Sequence, residues 1–218
     1  DIAKVIAQEL GIRAGQVEAT VKLIDEGCTI PFIARYRKEV TGSLNDEVLR
    51  DLYERLNYLR NLEERKETVI ASIEEQGKLT DALKKQILDA MTLVAVEDLY
   101  RPYKQKRRTR ATIAKEKGLE GLANIIYLQM ADHPIETDAQ EYISEEKGVA
   151  SVDEAITGAL DIIAENISDE AEYRTYIRDI TVKEGKLVTA AKDAEAKSVY
   201  EMYYDFEEPI AKAAGYRI

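Results

Sequence analysis

The sequence holds no tryptophan, one cysteine, one histidine, two phenylalanines and four prolines in 218 residues. A single thiol, Cys28, excludes an internal disulfide framework and a thiolate zinc cluster, and it fits a reducing cytoplasm, the expected compartment. It follows Gly27 at a helix boundary, with no histidine near it, and reads as an ordinary semi-buried residue. The one imidazole, His133, lies in the turn DHPIE and reads as an exposed loop residue. The eleven glycines are scattered. They form neither GxGxxG nor GxxxxGK[ST], so no phosphate-cradling loop is expected, and GxSxG is missing too. No apolar run approaches the roughly 18 residues of a membrane-spanning helix. The first residues, DIAKVIAQEL, are amphipathic and carry no signal-peptide pattern. Low-complexity tracts and internal repeats are absent. These gaps leave little for catalysis: no catalytic residue, metal site, cofactor or small-molecule substrate is expected. A carboxylate pair such as Glu63/Glu67 reads as solvated helix charge rather than a divalent-ion site.

What is present is charge and helical spacing. The net charge of -11 is unevenly spread. Residues 1–110 hold 20 Lys+Arg against 19 Asp+Glu, whereas residues 111–218 hold 11 against 23. The acidic half repels phosphate backbones, so any nucleic-acid contact must come from a local patch in the first half. With 45% apolar residues, the chain can bury a core as one large or two small domains. It begins without Met and stops at AAGYRI within an apolar-aromatic stretch. It therefore reads as an excised fragment of a longer protein.

The stretch 45–76 predicts one long helix. It has no Pro or Gly and is rich in Leu, Glu and Arg. Leu49, Leu52, Leu56, Leu59, Leu62, Val69, Ile70 and Ile73 recur three or four apart. Asn45 is placed to cap it and Gly77 to end it. Asp46/Arg50 and Asp51/Arg55 have the favourable order for helix ion pairs. Ahead of it, 2–10, 14–26 and a helix opened by Thr29-Ile30-Pro31 and closed by Gly42 give a helix-turn-helix-like outline. In the third helix, Ile33 and Tyr36 are expected to face the core, with Arg35 and Lys38 facing out.

Beyond the rod, helices are expected from Thr80, over 93–100, from Thr109 to Lys117, over 119–130, from Thr137, from Ser151 to about Asn166, and from Ser168 to Gly185. Ser151-Val152-Asp153-Glu154 has the form of a capping box. KLVTAA is the one candidate strand, and it is isolated. AEAKSVYEMYYDF is expected to be helical, packing Tyr200, Tyr203, Tyr204 and Phe206 into a core or an interface. The fold class is thus all-α, a multi-helix scaffold. Its expected divisions are 1–44, 45–135 and 136–218.

The sharpest local feature is RPYKQKRRTR at 101–110. Arg101, Lys104, Lys106, Arg107, Arg108 and Arg110 fall within ten residues without an acid, and Tyr103 is interleaved. Such a segment suits a phosphate backbone with bases stacked on the aromatic or guanidinium planes. Given the net charge, it suits better a strut that neutralises the acidic half or pins the loop onto another domain. Arg35, Arg37 and Lys38 form a smaller cluster, for which ion pairing within the fold is the alternative to ligand contact. The candidate nucleic-acid-binding residues are Lys104, Lys106, Arg107, Arg108, Arg110, Arg35, Arg37 and Lys38.

Four segments, TIPFIARYRKEVTGSL, LRNLEERKETVIASIEEQGKL, EDLYRPYKQKRRTRATIAKEKGLEGLA and ALDIIAENISDEAEYR, resemble the N-terminal region of the Tex family of bacterial transcription accessory proteins. The likeness runs in order through essentially the whole chain. It implies a helical scaffold that would continue into RNase-H-like, helix-hairpin-helix and S1 domains. Nucleic-acid binding would lie mainly in the S1 part, and the transcription machinery would be a partner. No catalytic residue carries over. The expectation is a non-enzymatic, nucleic-acid-associated accessory protein. The alternative is a purely structural or protein-interaction module.

Overall fold

A computed structural model describes residues 1–217. Twelve α-helices and one small antiparallel sheet make up these residues, a predominantly α fold. They fall into two compact units, Asp1–Val96 and Glu97 onward. The division does not follow the expected lines at 44/45 and 135/136. The reason in the first unit is that the rod supplies the wall on which the N-terminal helices pack.

In the first unit, α1 (Ile2–Leu10) and α2 (Ala14–Asp25) are joined through Gly11, which is left-handed at φ 66°. Thr29 caps α3 (Ile30–Tyr36) through the Phe32 N–H. Arg37, at φ -130°, interrupts the helix expected to run on to Gly42, and α4 (Lys38–Thr41) follows. Then comes α5 (Asp46–Glu75), 30 residues capped by the Asn45 side chain. At 1.5 Å per residue it is about 45 Å long. Helices α1, α2 and α3 pack on it, burying Leu49, Leu52, Leu56, Leu59 and Leu62. Each such leucine, fully buried, contributes roughly 1.5–3 kcal/mol. Farther along, α6 (Asp81–Asp89) packs on α5, and Val69, Ile73, Leu83 and Ile87 are buried.

Two features of the rod depart from the sequence expectation. Arg50 pairs with Asp46 at 2.5 Å, but Arg55 turns from Asp51 to Glu9 of α1, in a two-pronged bond at 2.6 and 2.7 Å. Arg60 grips Asp25 of α2 in the same way, at 2.8 and 2.9 Å. Planar guanidinium–carboxylate forks hold register as well as charge, which a helical i,i+4 pair does not. The second feature is Lys66, which sits on the leucine stripe and is buried. Its Nζ donates to Glu63 Oε1 and to the Leu88 carbonyl, each at 2.8 Å. That carbonyl lies in the last turn of α6, where a cation meets the negative end of the helix.

The second unit opens in α7 (Leu93–Tyr100), a helix that begins just before the division. A 3₁₀ turn at Arg101–Tyr103 leads into the basic segment. Four helices follow: α8 (Arg110–Glu116), α9 (Glu120–Leu128), α10 (Ile135–Gln140) and α11 (Val152–Asp169). The core among them is built of small residues, including Ala111, Ala114, Ala123, Ala155 and Ala159, with Leu119, Leu122 and Ile162. Gly158 belongs to that pattern, since a Cβ there would meet Leu119 Cδ1 and the Ala114 Cβ. Several expected details shift. Helix α10 begins at Ile135 with Pro134 at its cap, ahead of Thr137. Helix α11 runs past Asn166 to Asp169. Ser151 caps as expected, but Glu154 reaches back to the Ala150 N–H instead of to that of Ser151.

Helix α12 (Ala171–Glu184) is followed by β1 (Lys186–Ala190) and β2 (Asp205–Pro209). The expected strand is therefore real, but it is not isolated. It pairs antiparallel with β2, Lys186 opposite Pro209 and Ala190 opposite Asp205. The expected helix over AEAKSVYEMYYDF does not form. A single 3₁₀ turn at Glu201–Tyr203 is all that remains of it. A lone strand leaves its N–H and C=O groups unpaired, and capturing 205–209 satisfies them. The tyrosines then serve locally. Tyr203 meets Phe206 edge-on at 5.4 Å, and Tyr204 Oη donates to the Ala196 carbonyl at 2.5 Å.

Candidate nucleic-acid interface

Five of the six cations in the basic segment have a carboxylate partner within their own unit. Arg101 Nε donates to Asp169 Oδ1 at 2.9 Å, and Lys106 Nζ donates to Asp169 Oδ2. Lys106 also lies 3.6 Å from Glu165. Arg108 pairs with Glu116 at 2.7 Å, Arg110 with Asp161 at 3.7 Å and Lys104 with Glu97 at 3.7 Å. Arg107 is exposed, and no ion pair involves it among the described residues. Asp161, Glu165 and Asp169 recur every four residues, one stripe down α11. That spacing was legible in the sequence and marks the face on which the basic segment lies. Asp169 is the innermost of the three, its side chain only 13% exposed. It is the last residue of α11, where a bare carboxylate opposes the helix dipole and adjacent cations relieve it.

The start of the same unit is fixed in the same manner. Asp98 of α7 is buried and accepts from Arg174 Nε at 2.8 Å and from an Arg178 Nη at 2.7 Å, both on α12. Burial alone would push the Asp98 carboxyl up, but the hydrogen bonds and charges of the two guanidinium groups outweigh it and hold the pKa below the ordinary aspartate value. His133 stands in its turn between Asp132 and Asp138, 3.0 Å from each. Hydrogen bonds to Asp132 and then Asp138 raise its pKa above the usual imidazole value.

The second cluster differs in kind. Ile33 is buried as expected, but Tyr36 is not, being 61% exposed. It lies one turn beyond Phe32, with ring centroids 5.3 Å apart. The Arg37 guanidinium lies over the Phe32 ring at 5.2 Å and donates to the Tyr36 carbonyl. Arg35 and Lys38 are exposed. None of these three cations forms an ion pair among the described residues. The two clusters belong to different units. Tyr36 was missed as a surface residue because Ile33 and Tyr36, three apart, read as one core-facing stripe at helical spacing.

Among the described residues no three His, Cys, Asp or Glu side chains come together to hold a metal ion. No helix among them is long and apolar enough to cross a membrane.

A helical wall of bidentate ion pairs, followed by a small-residue helical unit with a neutralised basic segment, defines a scaffold. Residues 1–74 match the family model of the Tex-like protein N-terminal domain, and residues 130–218 match that of the Tex central region. The chain belongs to the Tex family. It is 51% identical over 216 residues to the YdcI protein of Bacillus subtilis, covering 98% of this chain and 30% of that one. It is 43% identical to the transcriptional accessory protein Tex of Neisseria gonorrhoeae, covering 100% of this chain and 28% of the relative. The human S1 RNA-binding domain-containing protein 1 is 29% identical over 84% of this chain and 18% of its own length. The chain thus spans less than a third of the length of these relatives.

Proposed function

We propose that this chain is the non-enzymatic helical scaffold of a nucleic-acid-associated transcription accessory protein of the cytoplasm. Family membership supports the role, since one relative is named a transcriptional accessory protein and another carries an S1 RNA-binding domain in its name. The observation that carries the scaffold reading is the engagement of Arg101, Lys106, Arg108 and Arg110 by acids of the same unit. The basic segment acts as an internal strut, pinned along α11. Ultraviolet crosslinking of the whole protein in growing cells tests the association: crosslinked nucleic acid is expected, and its absence refutes the reading. Incubating the chain with labelled RNA and DNA, with and without a divalent ion, tests the second part. Both are expected to remain intact, and turnover would make the chain an enzyme.

The second reading, a module that only docks other protein segments, is favoured by one feature. Tyr176 and Ile177 of α12 are 65% and 59% exposed. It predicts no binding of nucleic acid by this chain above that of an acidic control protein.

A further inference from the structure

We propose that Tyr36, backed by Phe32 and ringed by Arg35, Arg37 and Lys38, is a stacking site for one base of a single-stranded nucleic acid. The inference rests on the nucleic-acid association proposed above and gives it a place on this chain. Three observations converge on it. The first is the exposure of a large aromatic side chain on a helix whose next turn inward, Ile33, is fully buried. The helix is therefore seated, and Tyr36 faces outward by its position on it. The second is the backing. The Phe32 ring contacts both the Arg37 guanidinium and the Tyr36 ring, and Tyr36 is the more exposed ring of the pair, so it is the one open to a base. The third is charge. Five of the six cations of the basic segment are taken up by carboxylates, whereas Arg35, Arg37 and Lys38 all lack one among the described residues. The one acid beside them, Glu39, is exposed and likewise in no ion pair.

The support under the site is stiff. Gln16 Nε2 of α2 donates to the Thr41 and Gly42 carbonyls at 2.9 and 3.3 Å, and Thr41 is buried. This holds α4, and with it Lys38, at the end of α3. A planar base on the tyrosine with phosphates toward the three cations satisfies both halves of the surface. An acidic polypeptide would satisfy only the cations.

The test is fluorescence anisotropy at low salt with a labelled oligothymidylate and an abasic strand of equal length and charge. The native chain is expected to prefer the strand with bases. Tyr36→Ala should weaken that binding about tenfold, the loss of one stacked base, and leave the abasic strand unaffected. Tyr36→Phe should restore it. Arg35→Glu with Arg37→Glu and Lys38→Glu should weaken both strands and flatten the salt dependence. Because Tyr36 is exposed, its variants should melt as the native chain does, which separates a lost contact from a lost fold. Equal binding of the two strands, indifference to Tyr36→Ala, equal displacement by polyglutamate, or no binding at all each overturns the site. Indifference of the anisotropy to Tyr36→Ala, while the native whole protein still crosslinks, removes only this site. Absence of crosslinks from the native protein removes the broader reading.

Discussion

Replacing Asp169 with alanine should release the basic segment and destabilise the second unit by about 2 kcal/mol. Asp169 accepts from both Arg101 and Lys106. Hydrogen bonds to a charged group contribute roughly 1.5–3 kcal/mol each. The Arg101 side chain is 43% exposed and that of Lys106 27%, so water competes for both and the pair contributes well below its sum. Removing a carboxylate from the end of α11 also relieves a dipole penalty of about 0.3–1 kcal/mol. The remainder, about 2 kcal/mol, corresponds to a melting temperature lower by roughly 6 °C for a unit of this size. Thermal unfolding followed by circular dichroism reads the first effect. Limited trypsin digestion reads the second, because Lys104, Lys106, Arg107 and Arg108 are all cleavage positions. Cleavage within 101–110 should speed up in the variant under native conditions, ahead of cuts elsewhere. An unchanged melting temperature together with unchanged cleavage would refute the strut.

Further outcomes follow from the same geometry. Asp98 has a folded pKa below its unfolded value, so its contribution is present above about pH 4 and is lost as the pH falls through the folded pKa. Asp98→Asn should therefore cost about 2–3 kcal/mol at neutral pH and flatten the acid limb of stability against pH; an acid limb identical to the native one contradicts the clamp. Lys66→Ala should cost about 2 kcal/mol, leaving the Leu88 carbonyl without its partner, and Lys66→Met should lose less because the stem still fills its place. Urea titration of both separates packing from hydrogen bonding, and equal losses would assign the whole effect to the lost hydrogen bonds. Gly158→Ala gains about 1 kcal/mol of helix propensity. It should still destabilise, because overpacking against Leu119 and Ala114 costs about 1–3 kcal/mol. A raised melting temperature would show that Leu119 moves aside freely.

The helical framework was legible where periodicity and caps agreed. Asn45, Thr29, Thr80, Thr109 and Ser151 all cap helices, because a short oxygen-bearing side chain ahead of an apolar stripe has few other uses. The sequence misled where local propensity met a long-range demand. Ala, Glu, Lys and Met in 194–206 favour a helix, yet β1 required a partner and took 205–209. Lys66 broke the pattern rule because its partner, the Leu88 carbonyl, is set by how α6 folds back. Arg55 chose Glu9 over Asp51 for a similar reason, since a distant carboxylate offered a fork that a helical neighbour cannot. For the candidate site, the basic residues and the acidic half were visible, but not which acids would meet which cations, because that depends on how the segment lies on α11. The acids at 161, 165 and 169 were written at helical spacing. The exposure of Tyr36 was hidden by a spacing shared with core residues.

The most direct measurement of the strut is the rate at which each lysine is acetylated in the native protein, resolved by mass spectrometry. Lys38 has no carboxylate partner among the described residues and should react as a free lysine. Lys106, held by Asp169 and Glu165, should react several-fold more slowly and should speed up toward the Lys38 rate in Asp169→Ala. Equal rates for Lys38 and Lys106 in the native protein would mean that the basic segment is open to solvent and ligands, and the strut would be wrong.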